Sequence, residues 1–232
     1  MFVSIVIPVH NEAHRLGQAV ETVQRFLQAR PWEAEVIVVD NGSTDGTFDA
    51  ARGCQGVRAI REDSRGKGRA VRRGMLEATG DYRFMCDVDL SMPVEELVKF
   101  LPPALEEADV AIGSREAVGA DVTDPWPRRF IGRTFNALTR ALVLPGLRDT
   151  QCGFKCFTGP AAEAIFARLT VMGLGFDVEA LAIARRRGLR IVEVPIVWRH
   201  DPDSRVRMGA DPLGMAADLL KIRRNVRRGL YD

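Results

Sequence analysis

Hydrophobic and polar positions follow two periodicities along the first half of the chain. Short apolar runs, which are typical of buried strands, are separated by stretches in which apolar residues recur every three or four positions, as in amphipathic helices. Strands that alternate with helices indicate an α/β fold with a mostly parallel central sheet flanked by helices. The predicted strands span residues 3–9, 35–39, 57–60, 82–86 and 110–112, and the predicted helices span 15–27, 68–78 and 93–108.

The second half of the chain is less regular. Its pattern predicts an amphipathic helix, a loop or short strand that contains Gly and Cys, a second helix and a strand, in that order over residues 128–144, 149–157, 176–187 and 191–198. A polar segment over 200–211 is predicted to be flexible, and a last helix follows it from Leu213 to about Arg228.

Three polar clusters come directly after predicted strands, at Pro8–Glu12, Asp40–Asp45 and Asp87–Asp89. In open parallel sheets, ligands bind beyond the carboxyl ends of the strands. We therefore expect the three clusters to line one ligand site. The second cluster also supplies polar candidates for the N-cap of the following helix, namely Ser43, Thr44 or Asp45.

Asp87 and Asp89 are the candidates for metal binding. Residues i and i+2 at the end of a strand point to the same side, so the two carboxylates would repel each other. A hard divalent cation would relieve that repulsion, and Mg²⁺ and Mn²⁺ prefer carboxylate and phosphate oxygens. The alternative is a pair of solvated acids at a strand end.

Composition narrows the class of protein. Of the 232 residues, 46% are hydrophobic and 28% are charged, which indicates a soluble chain with a substantial core, most simply one domain. The formal net charge of +2 argues against a general polyanion binder. The arginines are not interleaved with aromatic residues and no recognition motif appears, so we expect no nucleic-acid partner.

The chain has neither a signal peptide pattern at its start nor an apolar stretch of the roughly 18 residues that would span a bilayer. Its four cysteines are therefore predicted to be reduced thiols in the cytoplasm. Cys152 and Cys156 are not accompanied by a second Cys/His pair, which argues against zinc.

Four runs of residues carry a resemblance to the family 2 glycosyltransferases with the GT-A fold: I-V-I-P-V-H-N-E (5–12), V-V-D-N-G-S-T-D-G-T (38–47), G-K-G-R-A-V-R-R-G (66–74) and D-V-D-L-S (87–91). Later runs resemble the polyprenyl-phosphate branch, which includes dolichyl-phosphate mannose synthases and glucosyltransferases. These runs are G-S-R (113–115), F-N-A-L-T-R (135–140), D-T-Q-C-G-F-K (149–155) and F-D-V-E (176–179). The third of them looks nearer to the glucosyltransferases.

This resemblance implies a GT-A domain over 1–210, with a nucleotide-sugar-binding half over 1–91, an acceptor-binding half over 92–210 and a basic helix over 211–232. By position, Asp87 and Asp89 would hold the donor diphosphate through Mg²⁺ or Mn²⁺. Ser91 stands where many relatives have Gln, so it is either a smaller metal ligand or a group that supports one. The residues expected to contact the nucleotide sugar are Pro8, His10, Glu12, Asp40, Lys67, Gly68, Val88 and, in a loop that closes over the diphosphate, Arg205.

The resemblance also implies a site for an acceptor phosphate, formed by Arg115, Arg129 and Arg133. Arg129 and Arg133 are four residues apart, hence on one face of a helix, and a guanidinium matches phosphate oxygens better than an ammonium does. Arg128 replaces Arg129 if the alignment shifts by one. The acceptor would be a polyprenyl or dolichyl phosphate.

The function implied is an inverting hexose transfer, with glucose from UDP-glucose as first choice and GDP-mannose as the alternative donor. A phosphate monoester is already ionised at neutral pH and needs no base, whereas an alcohol acceptor does. Asp177 would be that base if the acceptor were a soluble hydroxyl compound, and otherwise a positioning residue. A protein that binds nucleotide sugar without catalysis is a further alternative, which the retained acidic pair disfavours.

The last predicted helix carries five basic residues within 221–228, together with apolar positions. Such a helix either lies on an anionic membrane surface or packs on the domain with a solvated basic face. Local charge is divided accordingly, since residues 81–109 carry a net charge of −6 and residues 185–228 carry +7. We expect a cytoplasmic protein, free or peripheral at the cytoplasmic face of the membrane.

Overall fold

The computed structural model describes residues 1–123, 126–200 and 210–232, with side chains described except at 126–129, 131 and 210–213. Strands within these residues are β1 (Phe2–Val9), β2 (Glu33–Asp40), β3 (Val57–Arg61), β4 (Tyr82–Met85), β5 (Val110–Ser114), β6 (Asp121–Thr123), β7 (Lys155–Thr158), β8 (Ile191–Pro195) and β9 (Val197–Arg199). Helices are α1 (Ala13–Gln28), α2 (Thr47–Gly53), α3 (Lys67–Glu77), α4 (Trp126–Leu142), α5 (Gly159–Phe166), α6 (Phe176–Arg186) and α7 (Ala210–Arg227), with a 3-10 helix over Val94–Phe100.

Seven of the strands form the central sheet, in the order β3-β2-β1-β4-β7-β5-β8. All neighbouring pairs in this sheet are parallel except those of β7, which runs antiparallel to both β4 and β5. β6 and β9 pair separately as a short parallel ladder. The predicted α/β fold with a mostly parallel sheet is therefore confirmed.

Side chains of β1 enter two hydrophobic cores, one on each face of the sheet. Ile5 and Ile7 pack with α1 on one face, while Val6 packs with α3 on the other, as the alternation of side chains along a strand requires. The second of these cores also takes in α5, α6 and the buried face of α7. The α7 residues Leu219 and Ile222 are completely buried there, so α7 packs on the domain.

Several predicted elements differ in the structure. The helix predicted over 93–108 ends at Phe100, because the following Pro102 and Pro103 lack the amide hydrogen that a continuing helix needs. The helix after β2 begins at Thr47 with Gly46 at its N-cap, one residue beyond the predicted caps. α5 was not predicted, and the segment predicted to be flexible lies outside the described residues over 201–209.

The prediction that Asp87 and Asp89 follow the alternation of a strand end is wrong. β4 ends at Met85, and the acids lie in a turn that is closed by a 3.2 Å hydrogen bond from the Leu90 amide to the Asp87 carbonyl. Leu90 has a positive φ of 48°. Strand alternation therefore does not set the relative direction of the two side chains, and the turn does.

Two further features of the described residues are the length and apolarity of the helices and the state of the cysteines. None of the described helices is both long and apolar enough to cross a bilayer. The four cysteines are free thiols, and burial raises the pKa of each one, which makes them poor nucleophiles.

Gly74 is where α3 comes nearest to the sheet, and its replacement by Ala should lower the free energy of unfolding by about 1–3 kcal/mol. The added Cβ would overlap the Val6 side chain and lie 2.9 Å from Cγ2 of Val39. Urea denaturation followed by circular dichroism measures the change.

Gly17→Ala in α1 is the matched control, because nothing lies within 4 Å of the added Cβ. It should leave stability unchanged or raise it by up to about 1 kcal/mol, the difference in helix propensity. Equal effects of the two substitutions would contradict the close packing of α3 on the sheet.

Candidate active site

Asn41, the first residue after β2, ties together the three loops at the carboxyl edge of the sheet. Its amide donates a 2.8 Å hydrogen bond to the Val9 carbonyl at the end of β1. Its side-chain Oδ1 accepts a 3.1 Å hydrogen bond from the amide of Gly66, which precedes α3. The polar clusters after β1 and β2 are thereby fixed beside the start of α3.

The two ring nitrogens of His10 each contact a neighbour at the same edge. Its Nδ1 lies 3.0 Å from the Asn41 carbonyl oxygen, and its Nε2 lies 2.9 Å from Nη2 of Arg65. Because a guanidinium only donates and a carbonyl only accepts, we assign the neutral tautomer with the proton on Nδ1. The nearby Glu12 is buried, and its Oε2 accepts a 2.5 Å hydrogen bond from Nε of Arg15.

Asp40 is completely buried at the end of β2. Its Oδ2 accepts a 3.3 Å hydrogen bond from the Ser43 amide, while its Oδ1 has no hydrogen-bond partner among the described residues. A buried carboxylate oxygen without a donor is costly. A ligand N–H, such as that of a nucleobase, would satisfy this oxygen.

The acidic turn combines like charges with a cation. Nζ of Lys67, at the first position of α3, lies 2.6 Å from Oδ1 of Asp87. Asp89 accepts a 2.9 Å hydrogen bond from the Ser91 amide, and burial together with the neighbouring Asp87 raises the pKa of its carboxyl. Burial acts to lower the pKa of Lys67, but the carboxylates of Asp87, Asp177 and Asp89 together raise it, so the ammonium stays charged.

One small pocket is lined by both acids of the turn and by Ser91, Gly153 and Trp198. Gly153 is required by the packing, because a Cβ at this position would overlap Oδ2 of Asp87 and lie 2.6 Å from its Cγ. The loop before β7 therefore presses directly on the acidic turn. Trp198 of β9 closes the pocket from another side.

This donor set fits a divalent metal. Two carboxylates of one pocket repel each other when both are ionised, and Lys67, which pairs with Asp87, offsets only part of the effect on Asp89, whose pKa remains raised. A cation held by Asp87 and Asp89 would complete the compensation, with its other positions left for phosphate oxygens or water. Among the described residues no group of three or more His, Cys, Asp and Glu is placed to hold a metal by itself.

Asp177 belongs to a buried ion pair at the start of α6. Its Oδ1 lies 2.5 Å from Nζ of Lys155, and both side chains are almost completely buried. Burial raises the pKa of the Asp177 carboxyl, while Lys155 and then Lys67 oppose that rise. Asp177 and Lys155 thus form one cluster of charges with Lys67 and with Asp87 of the acidic turn.

Arg115, at the end of β5, binds Asp149 through both arms of its guanidinium. Its Nε lies 2.7 Å from Oδ2, and its Nη2 lies 3.0 Å from Oδ1. Burial acts to raise the pKa of the Asp149 carboxyl. The positive charge of Arg115 and the hydrogen bonds from its side chain and backbone nevertheless hold this pKa at about 2. The guanidinium also lies 5.1 Å from the ring centroid of Trp198, the residue that lines the acidic pocket.

The other predicted site residues fall into three groups: an arginine in an ion pair, arginines outside the described part of the structure, and residues that contribute mainly backbone. Arg133 forms an exposed ion pair with Glu116, the neighbour of Arg115. The Arg129 side chain and the whole of Arg205 lie outside the described residues. The remaining predicted residues contribute mainly backbone, since Pro8 is buried in β1, the Val88 side chain lies in the core, and Gly68 touches the 171–176 segment.

Five residues of the site were not among the predicted ones: Asn41, Asp149, Gly153, Lys155 and Trp198. The first four lie inside runs that carry the family resemblance, so the signal for them was present. Their roles depend on contacts between distant segments, as between Gly153 and Asp87, which periodicity does not reveal. Trp198 begins the segment, running on to Val206, that resembles the loop over the diphosphate, but its own contact with the pocket was not predicted.

The fold and the site together define a class. A mostly parallel sheet with helices on both faces, a buried carboxylate oxygen without a donor among the described residues and a paired acidic turn at the carboxyl edge are the features of a nucleotide-sugar transferase domain of the GT-A type. Residues 4–168 match the profile of glycosyl transferase family 2. The chain belongs to this family, as the resemblance in its sequence predicted.

Curated relatives include dolichyl-phosphate beta-glucosyltransferases from three distant organisms. That of Trichomonas vaginalis is 32% identical over 249 residues, with 100% of this chain and 73% of the relative covered. That of Saccharomyces cerevisiae is 32% identical over 259 residues, with 100% and 77% covered. That of Mus musculus is 34% identical over 240 residues, with 95% and 74% covered.

Solved structures support the fold. Glucosyl-3-phosphoglycerate synthase from Mycobacterium tuberculosis, in complex with Mn²⁺, UDP and glucosyl-3-phosphoglycerate, superposes with a TM-score of 0.75. The two chains are 20% identical, and the match covers 96% of this chain and 80% of the other. The predicted GT-A fold is therefore confirmed.

Replacement of Gly153 by Ala should lower catalytic turnover about a hundredfold, because the new Cβ would displace Asp87 from its place beside Lys67. Transfer kinetics and Mn²⁺ titration measure the loss. Gly53→Ala is the control, because nothing lies within 4 Å of the added Cβ. Unchanged Mn²⁺ affinity and turnover in the Gly153→Ala protein would refute the contact.

Proposed function

We propose that this protein transfers glucose from UDP-glucose to dolichyl phosphate or another polyprenyl phosphate, with inversion at the anomeric carbon. The observation that carries the proposal is the position of Trp198, which lines the acidic pocket on one side and stacks with Arg115 on the other. A donor diphosphate at the pocket and an acceptor phosphate near Arg115 would thus be neighbours. The names of the curated relatives support the same donor sugar and acceptor.

The donor side of the proposal rests on three residues. The free Oδ1 of Asp40 would accept the N–H of the base, which suits uracil. Asp87 and Asp89 would hold Mg²⁺ or Mn²⁺, and the bound ion would supply positive charge against the departing diphosphate. The solved neighbours with Mn²⁺ and UDP-glucose support this choice of metal and donor.

The acceptor side requires no general base. A phosphate monoester is a dianion near neutral pH, so its oxygen can attack the anomeric carbon in line with the departing diphosphate. The guanidinium of Arg115 would orient that phosphate, held in place by Asp149. Arg129 and Arg133 are proposed as further phosphate contacts, and Arg205 as a contact of the diphosphate.

We further propose that α7 touches a membrane surface. Its inner residues Leu219 and Ile222 pack on the domain, whereas Leu220 and the basic Arg224 and Arg227 are exposed. This arrangement leaves both an apolar side chain and positive charge available for anionic lipid headgroups.

The purified protein, incubated with Mg²⁺ or Mn²⁺ and a short polyprenyl phosphate, should form a lipid-linked hexose from UDP-glucose and none from GDP-mannose. Mass spectrometry of the organic extract identifies the product. Asp89→Asn should lower the rate at least about a hundredfold, because charge stabilisation by the metal is worth several kcal/mol.

The matched control is Asp49→Asn, which changes an exposed acid on α2. It should retain full activity. Product from GDP-mannose alone would reassign the donor, absence of lipid product with either donor would refute the acceptor, and full activity of Asp89→Asn would refute the metal site.

A second candidate acceptor is a soluble alcohol, with Asp177 as general base. The observation in its favour is that burial raises the pKa of the Asp177 carboxyl, as a base that works at neutral pH requires. The ion pair with Lys155 and the buried position disfavour it, because the carboxylate is already occupied.

Asp177→Asn separates the two acceptors. With a phosphate acceptor, we expect turnover to fall no more than about tenfold, through the loss of one ion-pair partner of Lys155. Loss of a general base would instead cost about 10²–10⁴-fold. Steady-state rates measured at equal donor occupancy, with Asp49→Asn as control, decide between them.

A further inference from the structure

Glu179, in the first turn of α6, is completely buried and yet has no ion-pair partner among the described residues. Its carboxylate accepts four hydrogen bonds instead. Oε2 accepts from the amides of Thr170 and Val171 at 2.7 and 2.5 Å, and Oε1 accepts from the Thr170 hydroxyl and the Tyr231 hydroxyl at 2.6 and 2.5 Å. Buried charge of this kind persists only when its acceptors are fully used.

The segment that Glu179 holds, residues 170–172, is here called the clasp loop. It is also bound from the side of α7. Asn225 donates a 3.3 Å hydrogen bond to the Thr170 hydroxyl and a 3.1 Å hydrogen bond to the Tyr231 hydroxyl. Lys221 donates a 3.1 Å hydrogen bond to the Thr170 carbonyl.

Tyr231 therefore joins α7 to Glu179 in a single hydrogen-bonded unit. Its ring is completely buried, and burial raises the pKa of the phenol, with the hydrogen bond to Glu179 acting in the same direction. The phenol thus remains a donor over the whole physiological range. Glu179, Asn225 and Tyr231 are not among the residues that line the acidic pocket.

The clasp loop does, however, support the start of α3. A Cβ on Gly66 would overlap the Met172 carbonyl oxygen, and a Cβ on Gly68 would lie 2.8 Å from the Val171 carbonyl oxygen. Between these two glycines stands Lys67, whose ammonium binds Asp87. The backbone on both sides of Lys67 is thus in close contact with the loop that Glu179 fixes.

We propose that Glu179 and Tyr231 are positioning residues for the donor site, and that they act by holding the clasp loop against Gly66 and Gly68 so that Lys67 stays paired with Asp87. A shift of the clasp loop removes the wall against which α3 begins. The ammonium then moves away from the carboxylate, and Asp87 loses its orientation toward metal and diphosphate. The inference rests on the proposed donor site, and its test needs no acceptor.

Isothermal titration with UDP in the presence of Mn²⁺ measures the effect. Tyr231→Phe removes one hydrogen bond to a buried charge and should weaken UDP binding about threefold, with a larger loss, about tenfold or more, in Glu179→Ala. Glu179→Gln keeps an acceptor for the loop amides and should recover most of the affinity.

Tyr82→Phe is the matched control, since it also removes a phenol hydroxyl, but one that makes no hydrogen bond to a described residue. It should leave the UDP affinity within about twofold of wild type. Thermal unfolding of every variant is recorded beside the titrations. Unchanged UDP affinity with a lowered Tm would overturn the proposal, because Glu179 and Tyr231 would then only stabilise the fold.

A double-mutant cycle tests the route through Lys67. Lys67→Met should itself weaken UDP binding, and Tyr231→Phe should add little further loss in that background, because both act on the same contact. Additive losses would overturn the proposed route.

In the transfer reaction, Glu179→Ala and Tyr231→Phe should raise the KM for the donor and leave the KM for the acceptor unchanged. A wild-type protein that binds UDP but forms no lipid product would refute the proposed acceptor, while the UDP titrations would still decide the role of the clasp.

Discussion

Two carboxylates on one short turn, both partly buried, repel each other unless positive charge lies beside them. In this protein Lys67 at the start of α3 pairs with Asp87, Lys155 pairs with the nearby Asp177, and a divalent cation held between Asp87 and Asp89 would supply the remaining positive charge. The elements that carry these groups come from distant parts of the chain. The sheet edge exists as a site because this charge balance brings them together.

Close packing of the backbone fixes the positions of these charged groups. Gly153 lets the loop before β7 lie against Asp87, and the glycines on either side of Lys67 let α3 begin against the segment that precedes α6. Each of these contacts leaves no space for a Cβ. The charged groups are consequently placed by backbone that has few alternative positions, which is the property that electrostatic stabilisation of a departing diphosphate requires.

Much of this arrangement could be predicted from the sequence. Periodicity located the first four strands and the helices α1 and α3, because β-branched runs and three-to-four spacing are local signals, whereas α2 was indicated only by the polar residues before it. The acidic pair and the polar ends of β1 and β2 were found by their position after strands. The prediction was wrong about residues 93–108, where two prolines end the helix, and it missed α5, whose apolar run carries little amphipathic signal.

The sequence by itself determined the family, the α/β layering and the identity of the acidic pair, since all three depend on residue order and short-range spacing. Only the tertiary structure decided that Asp177 pairs with Lys155, that Arg115 is held by Asp149 against Trp198, and that Glu179 is buried with no ion-pair partner among the described residues. The physical reason is that burial and ion pairing depend on which distant segments meet. The sequence does not show whether the partner of a carboxylate is water, an ammonium group or, as for Glu179, the phenol of a tyrosine that follows α7.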